Sequence, residues 1–144
     1  MWQIREEDII LDQSFETAQE AIFFAGVELV KRGYVKEDYT TAMYERHQQV
    51  SVYIGNFVAL PHADEDERIL NEGIVLIQVP DGVNFGTPEK RQIATIIVAV
   101  ALKRWTQLTV LQELALFFSD LENVQKLSDA TTRKAVLELI TSDN

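Results

Sequence analysis

His62 is the side chain in this sequence best suited to nucleophilic work near neutral pH. It follows Pro61 directly, at the end of the β-branched and aromatic run Phe57–Leu60, and precedes the acidic run Asp64-Glu65-Asp66-Glu67. A neutral imidazole is well populated near pH 7 and keeps one ring nitrogen free to attack. Strand ends in α/β sheets are where such sites collect. An ordinary polar residue at a strand end would have the same surroundings, so position alone leaves both readings open.

His47 is the second candidate. It follows Arg46 near the end of a helical segment, where the helix dipole favours an imidazolium. His47, His62 and the acidic run would together offer metal ligands, although no i,i+4 pair or recognised ligand spacing joins them. No nucleophile elbow supports a Ser–His–Asp triad, and there is no glycine-rich phosphate loop. The absence of cysteine removes disulfides, thiol nucleophiles and cysteine-held zinc, and it fits a reducing cytoplasm.

The elements that would position these residues follow from periodicity. Thr17-Ala18-Gln19-Glu20 reads as a capping box for a helix carrying Ile22, Ala25, Gly26, Leu29 and Val30, ended by Gly33. A second helix is predicted over about 36–48, with Tyr39, Ala42, Met43 and then Arg46 on one face. An arginine on an inward stripe either snorkels or serves a site. Val50–Ile54 and Phe57–Leu60 read as strands around a Gly55-Asn56 turn, the second stopped by Pro61. Ile74–Val79 reads as a strand closed by the turn Pro80-Asp81-Gly82, with Val83–Gly86 as a short edge segment. Ile93–Leu102 is the most apolar run, a strand buried on both faces. Lys103-Arg104-Trp105-Thr106 reads as a loop before a helix with Leu108, Leu111, Ala115 and Phe118 on one face. Short helices follow, one capped at Ser119-Asp120-Leu121-Glu122 and one opened by Thr131 or Thr132. The fold class expected is α/β: a single layered domain, residues 1–144, with a mixed β-sheet flanked by helices.

Composition narrows the partners. A chain of 144 residues that is 47% hydrophobic can bury a real core. Its apolar runs are too short to span a bilayer, and the acidic start Glu6-Glu7-Asp8 does not resemble a secretory signal. The short apolar runs leave direct membrane insertion unexpected, and the net charge of −10 argues against nucleic acid and anionic membrane surfaces as ligands. Such acidity either serves solubility alone or suits basic protein surfaces as partners.

Several segments together resemble one family. Gly55-Asn56-Phe57-Val58-Ala59-Leu60-Pro61-His62 is similar to the active-site segment of the enzyme IIA proteins of the mannitol/fructose type, from the bacterial phosphoenolpyruvate-dependent sugar phosphotransferase system. The resemblance extends to Ala42-Met43-Tyr44-Glu45-Arg46, to Gly82-Val83-Asn84-Phe85-Gly86, typical of the mannitol branch, and to Glu138-Leu139-Ile140. It implies that His62 accepts a phosphoryl group at Nε2 from the phosphocarrier HPr and passes it to a IIB domain of a sugar permease. Such a protein is a freestanding cytoplasmic phosphotransferase component. Exchange between histidines needs no metal and no cofactor, only a fixed tautomer and donors for the phosphoryl oxygens. Arg46, with its planar fork of donors, is the residue to supply them.

The sequence also departs from the pattern. Ala63 and Asp64 follow His62 where the family has Gly and often Thr or Lys, so a negative charge lies near the incoming group. Gln107 stands where most members have a second histidine; it offers donors but cannot take up a proton. Lys103-Arg104-Trp105 before it is more basic and bulkier than usual. His62, Arg46 and Gln107 are therefore the expected site, for phosphoryl carriage or for a regulatory module whose phosphorylation is sensed by a partner.

Overall fold

The most apolar run of the sequence forms the middle of the sheet. Strand β5 (Ile93–Ala101) pairs antiparallel with β4 (Gly73–Asn84) on one side and parallel with β3 (Val58–Ala59) on the other. Outside them lie β1 (Ile9–Ile10), parallel to β4, and β2 (Tyr53–Gly55), antiparallel to β3. The sheet order is β1-β4-β5-β3-β2. This computed structural model describes residues 2–142; Met1, Asp143 and Asn144, which the expected domain 1–144 includes, lie outside the described residues.

Helices cover both faces. Ile97, Ala99 and Ala101 of β5 share a core with Ile22, Ala25 and Leu29 of α1 (Ala18–Lys31) and Tyr39 and Met43 of α2 (Tyr39–Gln49). Ile96, Val98 and Val100 belong to a second core with Leu114 and Phe117 of α3 (Arg104–Phe117). That core also takes Val124 and Leu127 of α4 (Leu121–Asp129) and Val136 and Ile140 of α5 (Arg133–Ser142). The alternation of a strand thus divides one apolar run between two cores. The expected mixed sheet flanked by helices is the architecture found.

Local signals act largely as read. Thr17 accepts the Glu20 N–H at 3.1 Å, although Glu20 reaches the Glu16 N–H rather than completing the box on Thr17. Gly33, at φ 74°, ends α1, with its N–H on the Val30 carbonyl and that of Tyr34 on the Leu29 carbonyl. Buried Gln78 on β4 donates to the carbonyls of Leu127, Ser128 and Ala130 at 2.9, 3.2 and 2.8 Å and accepts the Asp12 N–H at 3.0 Å, tying the end of α4 to the sheet.

Four expectations need correction. Helix α2 begins at Tyr39 because residues 36–38 are used in a turn closed by the Tyr39 N–H on the Lys36 carbonyl. Strand β2 begins at Tyr53 because the Val52 N–H is committed to His47 Nδ1, and Asn56 and Phe57, both at positive φ, make the turn. Pro80-Asp81-Gly82 does not close β4. Gln78 pairs with Ile96 and Val83 with Ala94, so residues 79–82 bulge opposite Thr95, where Pro80 needs no ladder partner and Gly82 takes φ 76°. Helix α3 already starts at Arg104 and buries Gln107, Leu114 and Phe117, while Leu108 is 65% exposed and Ala115 also faces out. Leu111 and Phe118 of the expected stripe do join the second core, while Gln107 turns its amide inward to Asp64. Strand β1, only two residues long, was not expected at all.

Candidate active site

The His62 loop is held where β3 leaves the sheet. The Val100 N–H donates to the Pro61 carbonyl at 2.9 Å, carrying the β3–β5 pairing one step past the ladder. From α2, the Tyr39 hydroxyl donates to the Val100 carbonyl at 2.9 Å and accepts the Ala63 N–H at 3.1 Å. Burial raises the Tyr39 pKa well above the ordinary phenol value, so the hydroxyl keeps the proton it donates.

The same loop fixes the His62 ring. Its Nδ1 lies 2.7 Å from the Leu60 carbonyl. A carbonyl can only accept, so Nδ1 carries the proton and Nε2 keeps its lone pair. The residue is 7% exposed. Burial pushes the imidazole below its ordinary pKa and the Arg46 charge adds to the lowering, against the Leu60 hydrogen bond and the Asp64 charge. His62 is therefore a neutral imidazole with one nucleophilic nitrogen at pH 7.

Beside that nitrogen the other side chains converge on Asp64. Arg46 Nε donates to Asp64 Oδ2 at 2.8 Å, and Gln107 Nε2 donates to Oδ1 at 3.0 Å. The same Oδ1 is 3.8 Å from His62 Nε2. Burial alone would raise the Asp64 carboxyl, but the Arg46 hydrogen bond and charge hold it below the usual carboxylate range. Arg46 is aimed by a second bond, from Nη1 to the Val50 carbonyl at 2.7 Å. From the start of α3, the Arg104 guanidinium donates to the Asp64 backbone carbonyl at 3.2 and 2.7 Å, and its N–H donates to Asp66 Oδ1. Gln107 is 5% exposed, and its Oε1 is buried without a hydrogen-bond partner among the described residues.

His62, Arg46 and Gln107, drawn from a loop and two helices on opposite faces of the sheet, are thus brought to one carboxylate. His47 is not part of this group. Its Nδ1 accepts the Val52 N–H at 3.1 Å and its ring packs edge-on against Phe85. An accepting nitrogen carries no proton, and burial lowers the pKa, so the expected imidazolium at the helix end is corrected to a neutral ring. Among the described residues no three His, Asp or Glu side chains are grouped to hold a metal ion. The acidic run is largely engaged within the molecule: Asp64 and Asp66 as above, and Glu65 with Arg68.

Sequence reading missed two roles. Tyr39 looked like a stripe residue, and nothing in its spacing marks the hydroxyl. Asp64 was read as a charge near the site; that it would gather both other site side chains depends on a rotamer, for which the sequence carries no signal.

A neutral nitrogen with a fixed lone pair, flanked by guanidinium and amide donors, is arranged to receive an electrophile that carries anionic oxygens. Among the described residues no helix is long and apolar enough to cross a membrane.

The chain is similar to known proteins over nearly its whole length. A family model described as "Phosphoenolpyruvate-dependent sugar phosphotransferase system, EIIA 2" matches residues 3–143. The mannitol-specific phosphotransferase enzyme IIA component of Enterococcus faecalis is 45% identical over 132 residues, covering 90% of this chain and 91% of that protein. Its namesake from Bacillus subtilis is 34% identical over 146 residues, covering 100% of both. The crystal structure of IIA mannitol from Escherichia coli superposes with a TM-score of 0.89 at 34% identity, over 96% of this chain and 99% of that one. The complex of enzyme IIA and phosphorylated enzyme IIB for mannitol from the same organism gives 0.90 at 33% identity, over 99% of both chains.

Proposed function

Since the chain belongs to the EIIA 2 family of the phosphoenolpyruvate-dependent sugar phosphotransferase system, we propose that His62 is its phosphoryl-carrying residue. As a component of that system the chain is a phosphotransferase. The observation that carries the residue assignment is the Nδ1 bond to the Leu60 carbonyl, which leaves Nε2 as the nucleophile.

In the step proposed, the Nε2 lone pair forms a bond to phosphorus while the donor's N–P bond breaks and returns its electron pair to the donor nitrogen. The proton stays on Nδ1 throughout, hydrogen-bonded to the Leu60 carbonyl. The transition state is loose, so the protein's contribution is positioning and charge stabilisation. Arg46 supplies charged donors to the phosphoryl oxygens and Gln107 a neutral one. The donor is HPr and the acceptor a IIB domain, in the cytoplasm. Mannitol is the sugar served, a reading supported by the mannitol-specific relatives and by the IIA–IIB complex among the similar structures.

The test is incubation with phosphoenolpyruvate, enzyme I and HPr. The expected result is one acid-labile phosphoryl group per chain, discharged by a mannitol IIB domain and absent from a folded His62→Ala variant. Labelling of His62→Ala to the native level would overturn the assignment.

A further inference from the structure

We propose that Asp64 is a placeholder for the phosphoryl group: in the unloaded protein its carboxylate occupies the donors of Arg46 and Gln107, and loading of His62 expels it. This rests on the carrier role of His62 proposed above.

The two carboxylate oxygens are divided between the two donors, Oδ2 on Arg46 and Oδ1 on Gln107. Oδ1 stands 3.8 Å from His62 Nε2, beyond hydrogen-bonding distance, and that nitrogen carries no proton to give. Asp64 therefore does not hold the ring; it serves the donors beside it. A phosphoryl group on Nε2 brings its oxygens into the same space and seeks the same donors. Two anions in one small site repel, and they compete for the same Arg46 Nε–H and Gln107 amide.

The loop is built so that the side chain alone has to move. Its backbone is fastened by the Ala63 N–H on Tyr39 and by Arg104 on the Asp64 carbonyl. The Asp64 side chain is 54% exposed, so a rotated carboxylate is received by water. In the reverse direction the returning carboxylate helps to displace the departing phosphoryl group. Asp64 thus weakens the hold on the phosphoryl group and makes phospho-His62 a better donor to the next acceptor.

The experiment measures the equilibrium distribution of phosphoryl groups between HPr and the native protein, Asp64→Ser and Asp64→Asn. Asn keeps the shape of the side chain and guards against a loop defect in the Ser variant. Replacing a carboxylate that competes for a charge-assisted bond should shift the equilibrium about tenfold toward the loaded protein in both variants. In nuclear magnetic resonance spectra, the Arg46 Nε–H signal should move on loading of the native protein and already be displaced in unloaded Asp64→Asn. An Asp64 that only shapes the loop would lower loading when replaced. Native or reduced loading in both variants, with the native protein loading normally, overturns the placeholder and leaves the carrier role standing. Failure of the native protein to load at all overturns the carrier role, and the placeholder with it.

Discussion

One hydroxyl, that of Tyr39, donates to the Val100 carbonyl and accepts the Ala63 N–H, so helix α2 is bonded to the central strand and to the His62 loop through a single atom. Tyr39→Phe would leave a buried carbonyl and a buried N–H without their partner. The expected cost is about 1–3 kcal/mol, read as a lower urea midpoint with an unchanged slope. Transfer to His62 should also slow, because the loop that sets its tautomer loses an anchor.

Arg46→Lys tests the proposed fork. A lysine places a point charge where the guanidinium aims two nitrogens, at Asp64 and at Val50. One lost charge-assisted contact is worth about 1.5–3 kcal/mol, so single-turnover loading should slow roughly ten- to a hundredfold. A native rate would reduce Arg46 to a snorkelling side chain.

The lowered pKa of His62 sets a pH dependence. Between its folded value and the unfolded value near 6.5, the unfolded chain binds more protons than the native protein. Stability from this group is therefore fully present above about pH 6.5 and is lost as pH falls toward the folded pKa. His47, shifted the same way, adds to the effect. Thermal melts across this range should show His62→Gln less sensitive to acid than the native protein. Single-turnover loading should hold its rate down to about pH 6.5 and decline only below it, since Nε2 stays free of a proton.

Gln107→His restores an ionisable group where the sequence lacks the family's second histidine. Charge-assisted hydrogen bonds are roughly twice as strong as neutral ones. The variant should load faster than the native protein, with the gain growing below about pH 6.5 as the new imidazole charges. Rapid-quench rates for both proteins across that range decide it; equal rates at every pH would make the missing histidine irrelevant to speed.

Much of the fold was legible because the signals were long or chemically specific. The long apolar run Ile93–Leu102 reads as a strand buried on both faces, and Gly33 and the segment Ser119-Asp120-Leu121-Glu122 mark helix ends that the structure keeps. Short or context-dependent features were not. Two residues of β1 carry no periodicity, and Leu108 and Ala115 look like core although both are exposed. Pro80 and Gly82 announced a break, but whether a break becomes a turn or a bulge depends on the strand alongside. At the site, residue types pointed to His62 and to an odd Arg46, and the family resemblance added Gln107, whereas the tautomer and the convergence on Asp64 are properties of geometry.

The bulge at residues 79–82 separates two stretches of pairing that keep their own register, Gly73 to Gln78 against Ala101 to Ile96, and Val83 and Asn84 against Ala94 and Ile93. It lies at the opposite end of β5 from Val100, where the His62 loop is fastened. Chain length at the exposed Pro80-Asp81 tip is therefore mechanically insulated from the chemistry. In evolution such a tip can gain or lose residues without retuning the site. In the laboratory it is the place for a short epitope or a reporter dye that leaves both sheet registers, and the histidine, where they are.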